Sequence, residues 1–233
     1  AKFADLFLTR LHAVAGDIIN QGGTELDLMT DAKGHAYNAL MAKHKKTFAS
    51  TPMGITASVH SGPRAALPHG AVLERRPKPG DTLIAGIGAS LGGYHAESGV
   101  TLIVGDISQE QKKIMTAMQE CNDAGVEACA KRLTCTAVND AALDALHAAD
   151  LGDAIRHRIG HGMGLQGHEA PWLSPGDDTQ VETNMVFSNE PGVYRPDFDG
   201  YRTINTMIVT ETGVHVPSRF QSVTAINARV IAV

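Results

Sequence analysis

The order of secondary-structure signals along the chain repeats once, and this doubling constrains the fold more than any other feature. Apolar residues recur at helical spacing in four segments, 3–20, 24–46, about 108–131 and 137–150. Each pair of helices is followed by Gly- and Pro-punctuated strands, at 82–87, 94–104, 183–189, 200–211 and 221–231. Two helices and then strands, repeated, predict an α+β fold with two similar helix-helix-strand halves around a central cleft.

We expect a single domain over residues 1–233, with pseudo-symmetric halves at about 1–105 and 106–233. The two halves show no residue-level repeat. Thr24 is the predicted cap of the second helix, and Asp106 or Ser108 the predicted cap of the third.

Composition excludes several classes of partner. A net charge of −5 without a basic patch argues against nucleic acid. No apolar run reaches the roughly 18 residues that a membrane span needs, and no leader precedes the first helix. The three cysteines, which lack a metal-ligand spacing, are expected to be reduced and packed, as in a cytoplasmic protein.

The densest polar signal is the stretch I-R-H-R-I-G-H-G-M-G-L-Q-G-H-E-A-P-W at 155–172. It places His157, His161 and His168 within 12 residues, interleaved with glycines that let the backbone pass close to a ligand. Imidazole is a common metal ligand and a base near neutral pH. A lone histidine is usually a satisfied core residue, but three in this pattern indicate a functional site.

Two further segments carry candidate polar groups. In M-V-F-S-N-E-P-G-V-Y at 185–194, Glu190 leaves an apolar strand, where a carboxylate is either a surface turn or a ligand. In S-G-P-R-A-A-L-P-H-G at 61–70, His69 precedes a Pro-Gly-Asp turn.

Together these motifs resemble the pita-bread superfamily of aminopeptidase P, prolidase and creatinase, the M24-like metallopeptidases. The resemblance rests on H-G-x-G-L-x-x-H-E at 161–169, N-x-V-F-S-x-E-P-G-V-Y at 184–194, G-Y-R at 200–202 and T-x-x-V-T-E-x-G at 206–213. It implies the pita-bread fold of the catalytic domain. The smaller N-terminal domain usual in this superfamily is absent from the chain, and a homodimer remains open.

The resemblance also implies a metal site that is incomplete. Family peptidases hold two divalent ions with five side chains, and these positions fall on Gly86, Glu97, His161, Glu190 and Ile204. Neither Gly86 nor Ile204 offers a ligand. We therefore expect at most one ion (Mn, Zn or Fe) on Glu97, His161 and Glu190, or no metal at all.

The catalytic roles are also carried over from the resemblance. Catalysis is assigned to His69, His157, His168 and Glu190, with His69 as general base in a metal-free, creatinase-like mechanism. Substrate binding is assigned to Tyr94, His95, Glu97 and Arg202.

The expected function is hydrolysis of a C–N or related bond in a small molecule or short peptide. Two alternatives stay open: an Xaa-Pro metallopeptidase, and a peptide-binding protein without catalysis.

Overall fold

The computed structural model describes residues 1–48 and 53–233, with the backbone alone for residues 44–48. The helices are α1 (Lys2–Asn20), α2 (Glu25–Phe48), α3 (Gln109–Ala130), α4 (Cys135–Ala148) and α5 (Phe220–Val223). The first strands are β1 (Met53–Ser61), β2 (Thr82–Leu91), β3 (Tyr94–Val104), β4 (Gly160–Gly162), β5 (Glu169–Leu173) and β6 (Val186–Asn189). The others are β7 (Gly192–Arg195), β8 (Asp199–Arg202), β9 (Ile204–Thr210), β10 (Gly213–His215) and β11 (Val230–Ile231).

Nine strands form one curled sheet in the order β1-β2-β3-β9-β6-β4-β5, with β10 against β9 and β11 against β3. All pairs are antiparallel except β11 with β3. Strands β7 and β8 form a separate hairpin. The junction between β3 and β9 pairs Ser98 with Asn205 and Gly99 with Ile204. It brings strands from distant parts of the chain together beside Glu97.

Side-chain caps set the starts of the helices. Ser108 Oγ accepts a hydrogen bond from Gln111 N at 3.1 Å, and Gln111 Oε1 accepts one from Ser108 N at 2.9 Å. This capping box begins α3, so Ser108 rather than Asp106 is the cap. At α2, Thr24 Oγ1 accepts from Asp27 N at 3.3 Å, which confirms Thr24.

Two apolar clusters hold the helices against the sheet. One joins α1 and α2 to β1–β3 and includes Phe7 and Leu102. The other joins α3 and α4 to the later strands and includes Met118 and Phe187. Each such buried side chain contributes about 1.5–3 kcal/mol. With the helices covering these faces, the polar groups collect in the cleft. The boundary between the two similar halves, expected near residue 105, stays a prediction.

The three cysteines are buried free thiols, as the sequence predicts. In the described part of the chain, we find no helix with the length and apolar character that crossing a membrane requires.

The strand prediction for 221–231 was wrong over most of its length. The segment begins within α5, and only Val230 and Ile231 pair with β3. The Arg229 side chain satisfies backbone carbonyls that a ladder would otherwise use: its Nε donates to Thr224 O at 3.0 Å, and its Nη2 donates to Gln221 O at 2.9 Å.

The strand prediction for 200–211 covers two strands of different sheets. Residue Thr203 separates β8 from β9, and its N–H donates to Pro191 O at 3.2 Å. The break directs Arg202 and Ile204 toward the same cavity from two different sheets.

Candidate active site

A small cavity of about 190 Å³ lies where β2, β3 and β9 face the turns after β4 and β6. Titratable side chains crowd its wall: His69, Glu97, His168, Glu190 and Arg202. Pockets for drug-sized ligands are typically about 300–1,000 Å³. This cavity therefore suits a small polar ligand or the reacting part of a peptide.

His161 is the buried centre of the cluster. Its Nε2 lies 3.3 Å from Glu190 Oε1 and 3.8 Å from Glu97 Oε2. Its Nδ1 donates to Gly162 O at 3.0 Å, which fixes the ring and leaves Nε2 facing the carboxylates. Among the described residues, Nε2 has no well-aligned hydrogen bond although it is fully buried. A buried nitrogen between two carboxylates is a place for a shared proton or a cation.

Strand pairing holds the two carboxylates in position. His161 pairs with Ser188 across β4 and β6, and Ser188 Oγ donates to Glu97 Oε2 at 3.0 Å. Thr206 Oγ1 accepts from Glu97 N and donates to Glu97 O, both at 2.8 Å. Glu190 N donates to Ile159 O at 2.5 Å. The geometry therefore comes from the sheet rather than from flexible loops.

His168 adds a third nitrogen-bearing side chain beside this cluster. Its ring stacks on His161 with centroids 3.9 Å apart and an interplanar angle of 28°. One ligand atom from each of Glu97, His161 and His168 lies within 4.8 Å of the others. The sequence prediction used Glu190 as the third ligand and gave His168 to catalysis. The close group therefore contains His168 in place of Glu190, which lies 3.3 Å from His161.

The two carboxyl groups differ in their electrostatic surroundings. Burial raises the pKa of Glu97, and the nearby Glu190 adds to the shift. Burial also disfavours the charged form of Glu190, but His161 outweighs it and lowers the pKa of Glu190. Burial likewise opposes the charged form of His161, but the two carboxylates raise its pKa. In this cluster the positive charge of a protonated His161 is therefore stabilised beside the ionised Glu190.

The donor set fits one divalent ion. The carboxylate and two imidazoles that lie within 4.8 Å of one another, with a second carboxylate beside His161, are the ligand types that catalytic zinc, manganese and iron sites use. The buried Nε2 without an aligned partner is the observation in favour of this fit.

The places expected for a second ion do not fit one. Gly86 pairs with Gly99 across β2 and β3, and Gly99 pairs with Ile204 across β3 and β9. A Cβ built on Gly99 would lie 2.7 Å from Ile204 Cδ1, and one built on Gly86 would lie 3.4 Å from it. The Ile204 side chain therefore occupies the space between the two glycines with apolar atoms.

The other predicted site residues lie in different surroundings. His69 and Arg202 line the cavity. His157 Nδ1 donates to Arg158 O at 2.6 Å, and its Nε2 accepts from Tyr194 Oη at 2.9 Å, so both ring nitrogens are engaged within the protein.

Tyr94 and His95 stand at the start of β3, apart from the residues that line the cavity. The Tyr94 side chain is 66% exposed. His95 N donates to Gly164 O at 2.9 Å, which ties the β2–β3 hairpin to the loop that carries His168.

Sequence reasoning missed three residues that shape the site. Ser188 holds Glu97, and its position near the end of β6, two residues before Glu190, was a usable signal. Glu25 anchors the segment that carries His69, and His60 lies buried near Arg202. No local pattern marks Glu25 or His60, because their partners are distant in sequence.

His60 predicts a pH-dependent stability. Both of its ring nitrogens are buried without a hydrogen-bond partner among the described residues. Burial, with Arg202 and Arg64 nearby, lowers the pKa of His60 to about 3. The unfolded chain, with an ordinary pKa of about 6.5, therefore binds more protons than the folded chain below that pH. The free energy of unfolding should fall by about 2 kcal/mol between pH 7 and pH 5 from this residue alone.

Urea unfolding of the wild type and of His60→Leu at the two pH values measures this contribution. The variant should lose stability less steeply on acidification, by about 2 kcal/mol. Parallel pH dependence in both proteins would show that His60 is not buried in its neutral form.

The curled sheet with flanking helix pairs and a carboxylate–histidine cluster in its cleft defines the pita-bread class of fold. The chain belongs to metallopeptidase family M24, whose model matches residues 4–211. It is 33% identical over 207 residues to the probable dipeptidase PepE of Mycobacterium tuberculosis, covering 88% of this chain and 52% of that protein. It is 34% identical over 155 residues to the Xaa-Pro dipeptidase of Pyrococcus furiosus, covering 66% of this chain and 44% of that protein.

Comparison with solved structures leads to the same family as comparison of sequences. Dipeptidase PepE from Mycobacterium ulcerans superposes with a TM-score of 0.83 at 29% identity, over 100% of this chain and 59% of that one. The chain spans about half the length of the curated relatives it matches. The resemblance read from the sequence motifs is thus confirmed for family and fold.

Proposed function

We propose that this chain is the catalytic part of an M24-type hydrolase that cleaves an amide C–N bond in a small, peptide-like substrate at a one-ion site. The observation that carries the proposal is the buried Nε2 of His161, which faces the carboxylates of Glu190 and Glu97 at the wall of the cavity. The names of the relatives, dipeptidase and Xaa-Pro dipeptidase, support the same reaction class.

Glu97, His161 and Glu190 would hold the ion, with His168 beside them. When bound, such an ion supplies Lewis-acid polarisation of the scissile carbonyl and a water of lowered pKa. Ser188 and Thr206 orient Glu97 through the hydrogen bonds described above, and Gly162 fixes the tautomer of His161.

His69 is the proposed proton carrier, because it lines the same cavity as Glu97, His168 and Glu190. In this role a ring nitrogen of His69 takes a proton from the attacking water and passes it to the leaving nitrogen. Burial and the nearby His161 lower the pKa of His168, so its neutral ring is available to hydrogen-bond the substrate. His157 acts indirectly, because its two ring nitrogens are hydrogen-bonded to Arg158 O and Tyr194 Oη.

The test combines metal content with hydrolysis. Protein dialysed against manganese or zinc should hold about one ion per chain, and it should hydrolyse dipeptides, with or without proline, in a chelator-sensitive way. Two ions per chain would restore the dinuclear peptidase and overturn our reading of Gly86 and Ile204. Hydrolysis that persists without metal would favour the His69-based, metal-free mechanism. Absence of hydrolysis across the dipeptide panel would favour the alternative of a peptide-binding protein without catalysis.

A further inference from the structure

We infer that Asn122 on α3 is a positioning residue, which fixes the spacing of Glu190 and Glu97 by holding the ends of β6 and β9 together. The inference rests on the proposed function, because both carboxylates belong to the proposed ion site. Asn122 is not one of the residues that line the cavity, so it acts on the site through the two strands.

One side-chain oxygen joins both strands to the helix. Asn122 Oδ1 accepts hydrogen bonds from Asn205 Nδ2 at 2.8 Å and from Asn189 Nδ2 at 3.2 Å. Asn189 Nδ2 also donates to the backbone oxygen of Asn122 at 3.0 Å. Asn189 and Asn205 lie directly opposite each other in the ladder between β6 and β9. The Asn122 side chain therefore bridges a cross-strand pair from a third element.

Both members of that pair are close in the chain, or across one ladder, to the carboxylates of the site. Asn189 immediately precedes Glu190. Asn205 pairs with Ser98 across β3 and β9, and Ser98 follows Glu97. Since a peptide unit is planar and stiff, a displacement of either strand end is passed on to the neighbouring residue. A change at the bridged pair should therefore change the spacing of the two carboxylates.

The bridge also costs free energy, which argues against a purely stabilising role. Asn122, Asn189 and Asn205 are each at most 4% exposed. Asn189 Oδ1 and Asn205 Oδ1 are buried without a hydrogen-bond partner in the described part of the chain. Apolar side chains at these positions would avoid the cost of burying unpaired amide oxygens. Directional hydrogen bonds between buried amides instead specify one arrangement of the strands.

The orientation of the Asn122 amide is itself fixed, and α4 holds the same segment in a similar way. Asn122 Nδ2 donates to Asp123 Oδ1 at 3.0 Å, which leaves Oδ1 for the strands. On α4, Asn139 Oδ1 accepts from Ile159 N at 3.2 Å, and Ile159 O accepts from Glu190 N. Helical asparagines thus hold the Glu190 segment from two sides.

The test compares Asn122→Ala with Gln111→Ala, a matched control on the same helix. Gln111 is also buried, but its side chain bonds to Ser108 and Gly80 rather than to β6 or β9. Protein freed of metal by a chelator is titrated with Mn²⁺ or Zn²⁺. Asn122→Ala should bind the ion about 10–100-fold more weakly than the wild type, the usual loss when a residue that orients a ligand is removed. Gln111→Ala should lose stability but keep the affinity of the wild type.

A second variant tests the same bridge if Asn122→Ala fails to fold. Asn205→Ala keeps the bonds between Asn122 and Asn189 and should also weaken the binding of the ion. The double variant Asn122→Ala/Asn205→Ala should lose less affinity than the product of the two single losses, because both substitutions break one hydrogen bond. Losses that multiply would show that the two residues act independently, and so would overturn the bridge.

Hydrogen exchange in chelator gives a readout without metal. Amides in residues 186–190 should exchange faster in Asn122→Ala than in Gln111→Ala, because the end of β6 opens locally. If the wild type binds no ion, the proposed function fails, and this faster exchange alone upholds the positioning role. If the wild type and Asn122→Ala bind one ion equally well, or if residues 186–190 exchange equally in the two variants, the positioning role fails and the proposed function stands or falls by its own test.

Discussion

Replacing Glu190 by glutamine should weaken metal binding by about 100-fold or more and reduce amide hydrolysis at least as much. Substituting residues that merely orient a ligand already costs about 10–100-fold in affinity or activity, and Glu190 is itself a proposed ligand. Glutamine keeps the shape of the side chain but removes the negative charge that balances His161 at 3.3 Å. Metal titration and initial rates on a dipeptide measure the two effects.

A stability measurement separates metal loss from misfolding. A ligand that binds only the folded state adds about 2.7 kcal/mol at 100 times its Kd. The wild type should gain this stability on addition of metal, and Glu190→Gln should not, each protein being compared with itself in chelator. The matched control is Glu182→Gln, an exposed glutamate nearby on the chain. Metal-dependent stabilisation that is equal in wild type and Glu190→Gln would remove Glu190 from the ligand set.

The helices and the main site could be predicted from the sequence because their signals are local. Helical spacing and caps such as Thr24 and Ser108 depend on residues three or four apart. The His161 and Glu190 segments stand out for the same reason, since histidine, glycine and proline occur together within short windows. Their place in one cleft followed from the resemblance of these motifs to a known family.

The packing around Ile204 could not be predicted, because it depends on strand register between distant segments. The sequence shows Gly86 and Ile204 only as missing ligands, and no local pattern links them to Gly99. Gly99 pairs with both Gly86 and Ile204, so the three residues lie together. The two glycines have no side chain, and the Ile204 side chain fills the space that they leave. The same register leaves Arg202 beside an open space, and no local motif carries that information.

Replacing Glu25 by alanine should lower the free energy of unfolding by about 3–5 kcal/mol, since it breaks a buried ion pair and leaves buried donors without an acceptor. Its carboxylate is fully buried and accepts from Ser61 N at 2.8 Å, Ser61 Oγ at 2.9 Å and Leu73 N at 3.3 Å. It also pairs with Arg64. Glu25 thus ties the start of α2 to both ends of the 61–73 segment, which carries His69 into the cavity.

Urea unfolding measures the loss of stability, and Glu110→Ala is the matched control. Glu110 also pairs with an arginine, Arg195, but its side chain is 62% exposed, so this substitution should cost no more than about 1 kcal/mol. A Glu25→Ala loss no larger than that of the control would show that Glu25 does not hold the 61–73 segment. A large loss would trace the placement of His69 to a carboxylate 44 positions earlier in the chain, on a different element. The proposed proton carrier would then depend on a buried ion pair that includes none of the proposed metal ligands.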